Sequence, residues 1–377
     1  MRLLRTFLGL LGALLCLMAP AGAEVAARPG LRRGATHAVL RAAALEPGLA
    51  KAGDGAFEWQ FHATREDRVP PRVLRAASAI TIAVVDTGAD LFAPDLAAKA
   101  PAAFSVVSGT SDVRDRNGHG TFVASLAAGA VSNGDGIAGF GGDARLLVVQ
   151  AGRPDGSFTD VDEAAGIVYA VDHRARIVNL SLGGTEPSRV EQNAVQYALD
   201  HGVLVVAAAG NDYLAGNPPV YPAALLGQAS STAGGAGLAV GASTIAGRRA
   251  SFSSTGSFVS VAAPGDGVLG ALSSLSSPTL WPRARLPGTR AGVYGFGSGT
   301  SFAAPEVAGA AALVWAANPS LQARQVAALL ESTASGHGRW TPQLGYGVID
   351  VAAAVAAAER TARPAGALRR ALARRLG

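Results

Sequence analysis

Three short islands of the sequence each pair a reactive side chain with glycine. They are Asp86-Thr87-Gly88, Asn117-Gly118-His119-Gly120-Thr121 and Gly299-Thr300-Ser301-Phe302-Ala303-Ala304-Pro305. A serine hydroxyl is a weak nucleophile until an adjacent imidazole takes its proton, and a buried carboxylate holds that imidazole in the required tautomer. Glycine lets the backbone approach a substrate closely. Ser301, His119 and Asp86 therefore have the side chains needed for nucleophilic acyl transfer.

The order of these groups along the chain distinguishes two architectures. Esterases of the α/β-hydrolase type carry the serine first, within Gly-x-Ser-x-Gly, and then the acid and the histidine. Here the serine lies in Gly-x-Ser-x-Ala, and the only histidine after Ser301 is His337. The glutamates between them, Glu306 and Glu331, fall in predicted helices rather than at a strand end. The esterase order is therefore possible only with an acid that lies inside a helix, whereas Asp86, His119 and Ser301 satisfy the order acid, histidine, serine directly.

Strand-like and helix-like segments alternate through most of the chain. Apolar runs typical of buried strands begin at Ile80, Leu146, Ile177, Val203, Leu238 and Phe258. Helical patterns lie near 119–129, 161–173, 189–200, 301–317 and 321–335. Such alternation indicates a parallel sheet with helices on both faces, whose active site lies beyond the carboxyl ends of the strands. Asp86 and Asn211 each follow one of these strands, so we expect them at the same edge.

These motifs resemble those of the subtilisin-like serine peptidases, the subtilases, which carry the same order of acid, histidine and serine. The segments 82–88, 118–121 and 299–305 match the aspartate, histidine and serine motifs of that family. The resemblance covers about 80–350. It implies an α/β, three-layer fold with a mostly parallel central sheet flanked by helices. It also implies a serine endopeptidase that forms an acyl-enzyme, with Asp86, His119 and Ser301 as its triad.

The same resemblance implies further site residues. Asn211 matches the asparagine whose amide, together with the backbone N–H of Ser301, stabilises the oxyanion. A peptide substrate is expected to bind as an extra strand between two edges. The residues implied in substrate binding are Gly156, Ser157 and Phe158 on one edge, Ser181, Leu182, Gly183 and Gly184 on the other, and Ala209 and Gly210 beside the asparagine. A cis bond is implied at Tyr221-Pro222.

The chemistry implied by the resemblance requires no cofactor, and the metal that it suggests is a structural Ca²⁺. Asp95 and Asn133 occupy the positions of calcium ligands in the family. Calcium takes six to eight oxygens, and carbonyls of the 133–137 loop would supply some of them. The same loop contains Gly134-Asp135-Gly136, an ordinary turn signal. A glycine-rich stretch at 295–299 lacks the spacing and the preceding strand of a dinucleotide site, which excludes a nicotinamide cofactor.

Three positions depart from the family pattern. Phe122 stands where a second histidine is usual, Phe302 where methionine is common, and Glu306 where histidine is common. None of them is a triad or oxyanion position, so the departures bear on specificity and stability more than on chemistry. The interval before the catalytic domain is also too short for the folded pro-domain of many relatives.

The ends of the chain differ in composition from its middle. Residues 1–23 have the basic start, apolar run and small-residue pattern of a cleaved signal peptide, and they contain the only cysteine, Cys16. We interpret 24–55 as a short pro-segment or linker, 56–358 as the catalytic domain and 359–377 as a basic tail. The predicted location is secreted or extracytoplasmic.

The distribution of charge along the chain indicates which kinds of partner it binds. The chain carries +5, but Arg360, Arg363, Arg369, Arg370, Arg374 and Arg375 concentrate the positive charge in the tail. The domain itself is near neutral, which argues against nucleic acid as a partner. We expect a monomer that acts on protein or peptide substrates, with weak surface association through the tail as a secondary role. Two alternatives use the same residues: an inactive peptide-binding scaffold, and an esterase or peptide ligase.

Overall fold

Strands and helices alternate along the part of the chain that the computed structural model describes, which comprises residues 36–39, 58–130, 136–230, 237–284 and 292–362. These residues all belong to one compact unit. In chain order the elements are β1 (Thr36–Val39), α1 (Trp59–Ala63), α2 (Pro71–Ala76), β2 (Thr81–Asp86), α3 (Pro94–Ala97), β3 (Ala102–Ser105), α4 (His119–Ala128), β4 (Arg145–Gln150), β5 (Ser157–Thr159), α5 (Asp160–Asp172), β6 (Ile177–Leu180), β7 (Leu182–Gly183), α6 (Arg189–Asp200), β8 (Leu204–Ala208), α7 (Ala223–Ser230), β9 (Gly237–Ser243), β10 (Val261–Pro264), β11 (Val268–Leu272), β12 (Arg283–Ala284), β13 (Val293–Gly297), α8 (Thr300–Ala317), α9 (Ala323–Thr333) and α10 (Val351–Ala362).

The central sheet has seven strands in the spatial order β10-β9-β8-β6-β2-β4-β3. Every neighbouring pair in it runs parallel. Both faces are covered, because alternate residues of one strand enter different cores. Ile82 and Val84 of β2 belong to a buried cluster with residues of α4, α8, α9 and α10, whereas Ala83 and Val85 belong to a second cluster with residues of α5 and α6. The three-layer α/β architecture is therefore as predicted.

Two small sheets lie outside the central one. Strands β11, β13 and β12 form an antiparallel sheet. In the other, β1 lies between β5 and β7 and pairs antiparallel with both. The sequence predicted no strand within 24–55. The position of β1 depends on pairing with residues more than a hundred positions away, and four residues carry no local signal of such pairing.

The predicted elements correspond well to the observed ones. Each apolar run precedes or contains a strand of the central sheet, although the run from Phe258 becomes a strand only at Val261. The five helical patterns match α4, α5, α6, α8 and α9. The signal peptide, Cys16, Asn133 and the arginines from Arg363 onward lie outside the described residues. Among the described helices, none is long and apolar enough to cross a membrane.

Candidate active site

Asp86 and His119 meet at the carboxyl end of the central sheet. Asp86 is the last residue of β2, and His119 is the first residue of α4. The imidazole Nδ1 lies 2.8 Å from Asp86 Oδ1 and 3.1 Å from Oδ2, and both side chains are buried. Gly120 allows this approach, because a Cβ there would overlap the carbonyl oxygen of Gly88. A buried carboxylate in this position holds the imidazole with Nδ1 protonated and Nε2 directed away.

Asp115, which the sequence analysis missed, holds the loop that carries the histidine. Its Oδ1 accepts hydrogen bonds from the hydroxyl of Thr87 (2.9 Å) and from the backbone N–H groups of Asn117 (3.1 Å) and Gly118 (2.8 Å). Its Oδ2 accepts from the backbone N–H (2.8 Å) and the hydroxyl (2.7 Å) of Thr121. This one carboxylate therefore ties the aspartate motif to the start of α4. The spacing Asp-x-x-Gly-His was the available signal.

Aromatic side chains pack beside the ring of His119. The ring centroid of Phe302 lies 5.8 Å from that of His119, and the Trp281 centroid lies at 6.4 Å. Phe302 also packs on Phe122 at 4.3 Å. Two departures from the family pattern, at positions 122 and 302, are thus in direct contact. They belong to one buried cluster that excludes water from one side of the imidazole.

Ser301 lies in the first turn of α8, directly before Phe302, whose ring packs beside the histidine. Its Oγ donates to the backbone oxygen of Ser181 at 3.2 Å. His119 Nε2 is buried and has no hydrogen-bond partner. No hydrogen bond joins the serine hydroxyl to the imidazole, although the helices that carry them, α8 and α4, pack against each other. In substrate-free enzymes such bonds are often long or misaligned and form only in the complex.

Asn211 lies just beyond the carboxyl end of β8 with its amide oriented by Thr300. Its Oδ1 accepts from the backbone N–H (2.9 Å) and the hydroxyl (3.0 Å) of Thr300. The same hydroxyl accepts from the N–H of Gly210 at 3.1 Å. Because the oxygen end of the amide is engaged, Nδ2 is directed to the opposite side. The N–H donor of Asn211 and the start of the Ser301 helix are thus held together, as an oxyanion site would require.

The two segments predicted as substrate edges contain strands β5 and β7, which lie on either side of β1. Ser157 and Phe158 belong to β5, which Gly156 precedes with φ +82°. Leu182 and Gly183 form β7, Ser181 precedes them, and Gly184 pairs with Tyr221. Ala209 and Gly210 lie between β8 and Asn211. The Tyr221–Pro222 bond is cis, as predicted.

The predicted calcium position contains Asp95, which is fully buried. Its Oδ1 accepts from the N–H of Ile137 at 2.9 Å and its Oδ2 from the hydroxyl of Tyr294 at 2.9 Å. Glu58, which the sequence analysis missed, lies nearby, and burial together with the charge of Asp95 raises its pKa. Both oxygens of Asp95 thus accept hydrogen bonds, and a carboxylate oxygen has two lone pairs, so accepting one bond does not prevent it from binding a cation. Among the described residues, no group of three or more acidic, histidine or cysteine side chains could hold a metal ion. Calcium binding, with Asn133 outside the described residues, stays a prediction.

Known proteins resemble this chain in sequence and in fold. A family model described as the subtilase family matches residues 77–347. A thermophilic serine proteinase of Bacillus sp. (strain AK1) is 38% identical over 242 residues, which cover 64% of this chain and 53% of that protein. Thermitase of Thermoactinomyces vulgaris is 38% identical over 267 residues, which cover 70% of this chain and 85% of thermitase.

Among solved structures, fervidolysin from Fervidobacterium pennivorans, a keratinolytic enzyme related to subtilisin, superposes with a TM-score of 0.71 at 26% identity. The match covers 85% of this chain and 51% of fervidolysin. The chain therefore spans about half the length of fervidolysin and of the Bacillus proteinase, and most of the length of thermitase.

Proposed function

Because this chain belongs to the subtilase family of serine peptidases, we propose that it is an exported serine endopeptidase in which Ser301, His119 and Asp86 act as one catalytic unit. The observation that carries the proposal is the buried pair of Asp86 and His119, bonded at 2.8 Å, with Nε2 of the imidazole left unbonded beside the Ser301 helix. An imidazole held in this way is a base that lacks only its proton donor.

The reaction then proceeds through an acyl-enzyme. Ser301 Oγ attacks the peptide carbonyl carbon as its proton passes to His119 Nε2, and the charge of Asp86 stabilises the imidazolium. The tetrahedral oxyanion accepts hydrogen bonds from Asn211 Nδ2 and the Ser301 N–H. His119 gives its proton to the leaving amine, which departs. Water attacks the ester carbonyl carbon and loses a proton to His119. The bond to Ser301 Oγ then breaks as that oxygen takes the proton back from His119, which releases the acid and restores the hydroxyl.

The substrates are proteins or peptides that bind as an extended strand between β5 and β7. Export follows from the signal peptide predicted for 1–23. An inactive peptide-binding scaffold is the alternative from another class, and the presence of all four catalytic residues favours the enzyme. An esterase or peptide ligase would use the same acyl-enzyme, so it differs only in which nucleophile or leaving group takes part.

The deciding experiment is covalent labelling. The purified protein is treated with an active-site phosphonate, digested and analysed by mass spectrometry for the modified residue. We expect modification of Ser301, and we expect that His119→Ala prevents it. Comparison of peptide and ester hydrolysis by the unlabelled protein then distinguishes a peptidase from an esterase. Labelling at another serine, or no labelling of a folded protein, would contradict the proposal.

A further inference from the structure

A segment of the chain already lies in the groove where the proposed substrate would bind. Strand β1 (Thr36–Val39) pairs with β5 in the register His37 to Phe158, and with β7 in the register Val39 to Leu182. A bound peptide in the same register, extended by one residue past the position of Val39, would face Ser181, whose backbone oxygen accepts a hydrogen bond from the Ser301 hydroxyl. The groove therefore accepts a peptide strand with a defined register relative to the nucleophile.

The register also shows which side of the groove each peptide residue faces. Side chains directly opposite each other in an antiparallel pair project to the same face. Phe158 and Leu182 both point into one buried cluster, together with Ala164 of α5 and Ala194 of α6. A peptide residue opposite Phe158 therefore projects toward the beginnings of α5 and α6. That residue lies three positions before the one that faces Ser181.

Three carboxyl groups lie at the beginnings of these two helices. Asp160 and Glu163 are in the first turn of α5, and Glu191 is in the first turn of α6; all three are buried. The carboxyl groups of Glu163 and Glu191 lie close enough to interact directly. Burial, and to a lesser extent the charge of Asp160, raises the pKa of Glu163 to about 8. We call Asp160, Glu163 and Glu191 the acidic cluster.

Helix geometry explains part of this cluster but not all of it. Acidic side chains in a first turn are stabilised by the helix dipole. That accounts for Asp160, to which Ser188 Oγ donates at 2.7 Å, and for Asp162, which pairs with Arg153 at 2.8 Å. Glu163 and Glu191 differ, because each is fully buried and faces the other carboxyl group. Burying two acids against each other costs free energy that a cation between them would offset.

We infer that the groove between β5 and β7 selects peptides with a basic side chain opposite Phe158, where the acidic cluster provides the opposite charge. This inference rests on the proposed function, since it assigns a preference to the same groove. Two independent observations meet at this point: a strand seated in the groove, and buried carboxyl groups beside the face to which one of its positions projects. The chain itself places a basic residue type, His37, at that position.

The test is a series of peptide amides with a fluorogenic leaving group, X-Ala-Val-Leu, which copy the sequence of residues 37–40 and vary only X. With X as arginine or lysine, we expect kcat/KM to exceed that for X as leucine by on the order of 10- to 100-fold, the range of a buried charge-assisted hydrogen bond. With X as glutamate, kcat/KM should be lowest. The Glu191→Gln variant and the Glu163→Gln/Glu191→Gln double variant should lose most of the ratio between the arginine and leucine peptides.

A matched control is Asp172→Asn, which removes a carboxylate from the same helix about 14 Å along the axis from Glu163. The Asp172→Asn variant should keep the wild-type ratio of kcat/KM between the arginine and leucine peptides. Thermal unfolding of each variant shows that it is folded. A ratio near one in the wild-type protein, or a ratio unchanged in the double variant, would overturn the inference.

Failure of the proposed function gives a different result, because then no peptide in the series is cleaved. In that case the affinities of Ser301→Ala for the arginine and leucine peptides, measured by fluorescence anisotropy, test the preference separately. The β1 segment competes equally with both peptides, so the ratio of the two Kd values is unaffected by it. A ratio near one would overturn the inference in this assay as well.

Discussion

Ser181 and Ser301 exchange two hydrogen bonds. The hydroxyl of Ser301 donates to the backbone oxygen of Ser181 at 3.2 Å, and the hydroxyl of Ser181 donates to the backbone oxygen of Ser301 at 2.7 Å. Asn179 holds the Ser181 hydroxyl from the other side at 2.9 Å. The substrate edge and the nucleophile are thus directly joined. A peptide N–H that bonds to the Ser181 oxygen would compete with the Ser301 hydroxyl, and we expect that hydroxyl then to turn toward His119.

Ser301 and His119 should act as one catalytic unit. Ser301→Ala and His119→Ala should each lower kcat for peptide hydrolysis roughly 10⁴-fold or more, because neither group activates the reaction without the other. The double variant should be hardly slower than either single variant. Steady-state kinetics on one peptide substrate measures all three. Losses that multiply in the double variant would show that the two residues act independently.

Substitution of the oxyanion donor Asn211 should lower kcat more than substitution of Thr300, which orients its amide. Asn211→Ala should lower kcat roughly 100- to 1,000-fold with little change in KM, the loss known for the corresponding asparagine in subtilisin. Thr300→Ala removes one of the two bonds that orient the amide but keeps the backbone N–H. We therefore expect a loss of about tenfold, the equivalent of one ordinary hydrogen bond. An equal loss in both variants would argue against a donor role for Asn211.

Asp115 should be far more important for stability than its neighbour Asp112. Asp115→Asn leaves some of the five donors around it without a good acceptor, so we expect a loss of about 1–3 kcal/mol in the free energy of unfolding and a lower kcat. Asp112→Asn is the control, since Asp112 lies on the surface and bonds Arg114. It should change stability by less than about 0.5 kcal/mol. Urea denaturation and kinetics on both variants check the contrast.

Phe302 should tolerate methionine better than alanine. Phe302→Ala leaves a cavity between His119, Phe122 and Trp281 and should cost about 3–5 kcal/mol of unfolding free energy. Methionine is flexible enough to fill most of that space, so Phe302→Met should cost only about 1–2 kcal/mol. Chemical denaturation gives both values. If alanine is as well tolerated as methionine, the packing of Phe302 against Phe122 and Trp281 does not stabilise the site.

The buried acid Glu306 should make stability depend on pH. It is fully buried, its oxygens have no hydrogen-bond partner, and burial holds its pKa well above the usual 4.5. A raised pKa in the folded state contributes stability that is fully present below pH 4.5 and is lost as pH rises through the folded value. The free energy of unfolding should therefore fall with rising pH.

Glu306→Gln cannot ionise, so its free energy of unfolding should increase relative to the wild type as pH rises from 5 to 9. Urea midpoints across this range measure the difference between the two proteins, which removes the contributions of other buried glutamates such as Glu163. Glu359→Gln is the control, because that side chain pairs with Arg72 at the surface. A difference that does not change with pH would mean that Glu306 is not held neutral.

Much of the site was predictable because its parts are marked locally. Asp86 follows an apolar run directly, and His119 begins a helix after glycine, so neighbouring residues alone place both near the ends of elements. Asp115 was missed although it lies four residues before His119, because its importance depends on which donors the fold turns toward it. Glu58 was missed for a similar reason, since it meets Asp95 only after folding.

The sequence by itself determined the chemical groups and the layers that carry them. Buried apolar runs that alternate with helices allow few arrangements other than a covered parallel sheet, and the motif residues follow the ends of its strands. Only the tertiary structure decided that β1 lies between the two substrate edges, that Phe122 touches Phe302, and that Glu163 faces Glu191. These contacts join residues far apart in the chain, and the free energy that selects them arises only when distant surfaces are buried together, so no local pattern records them.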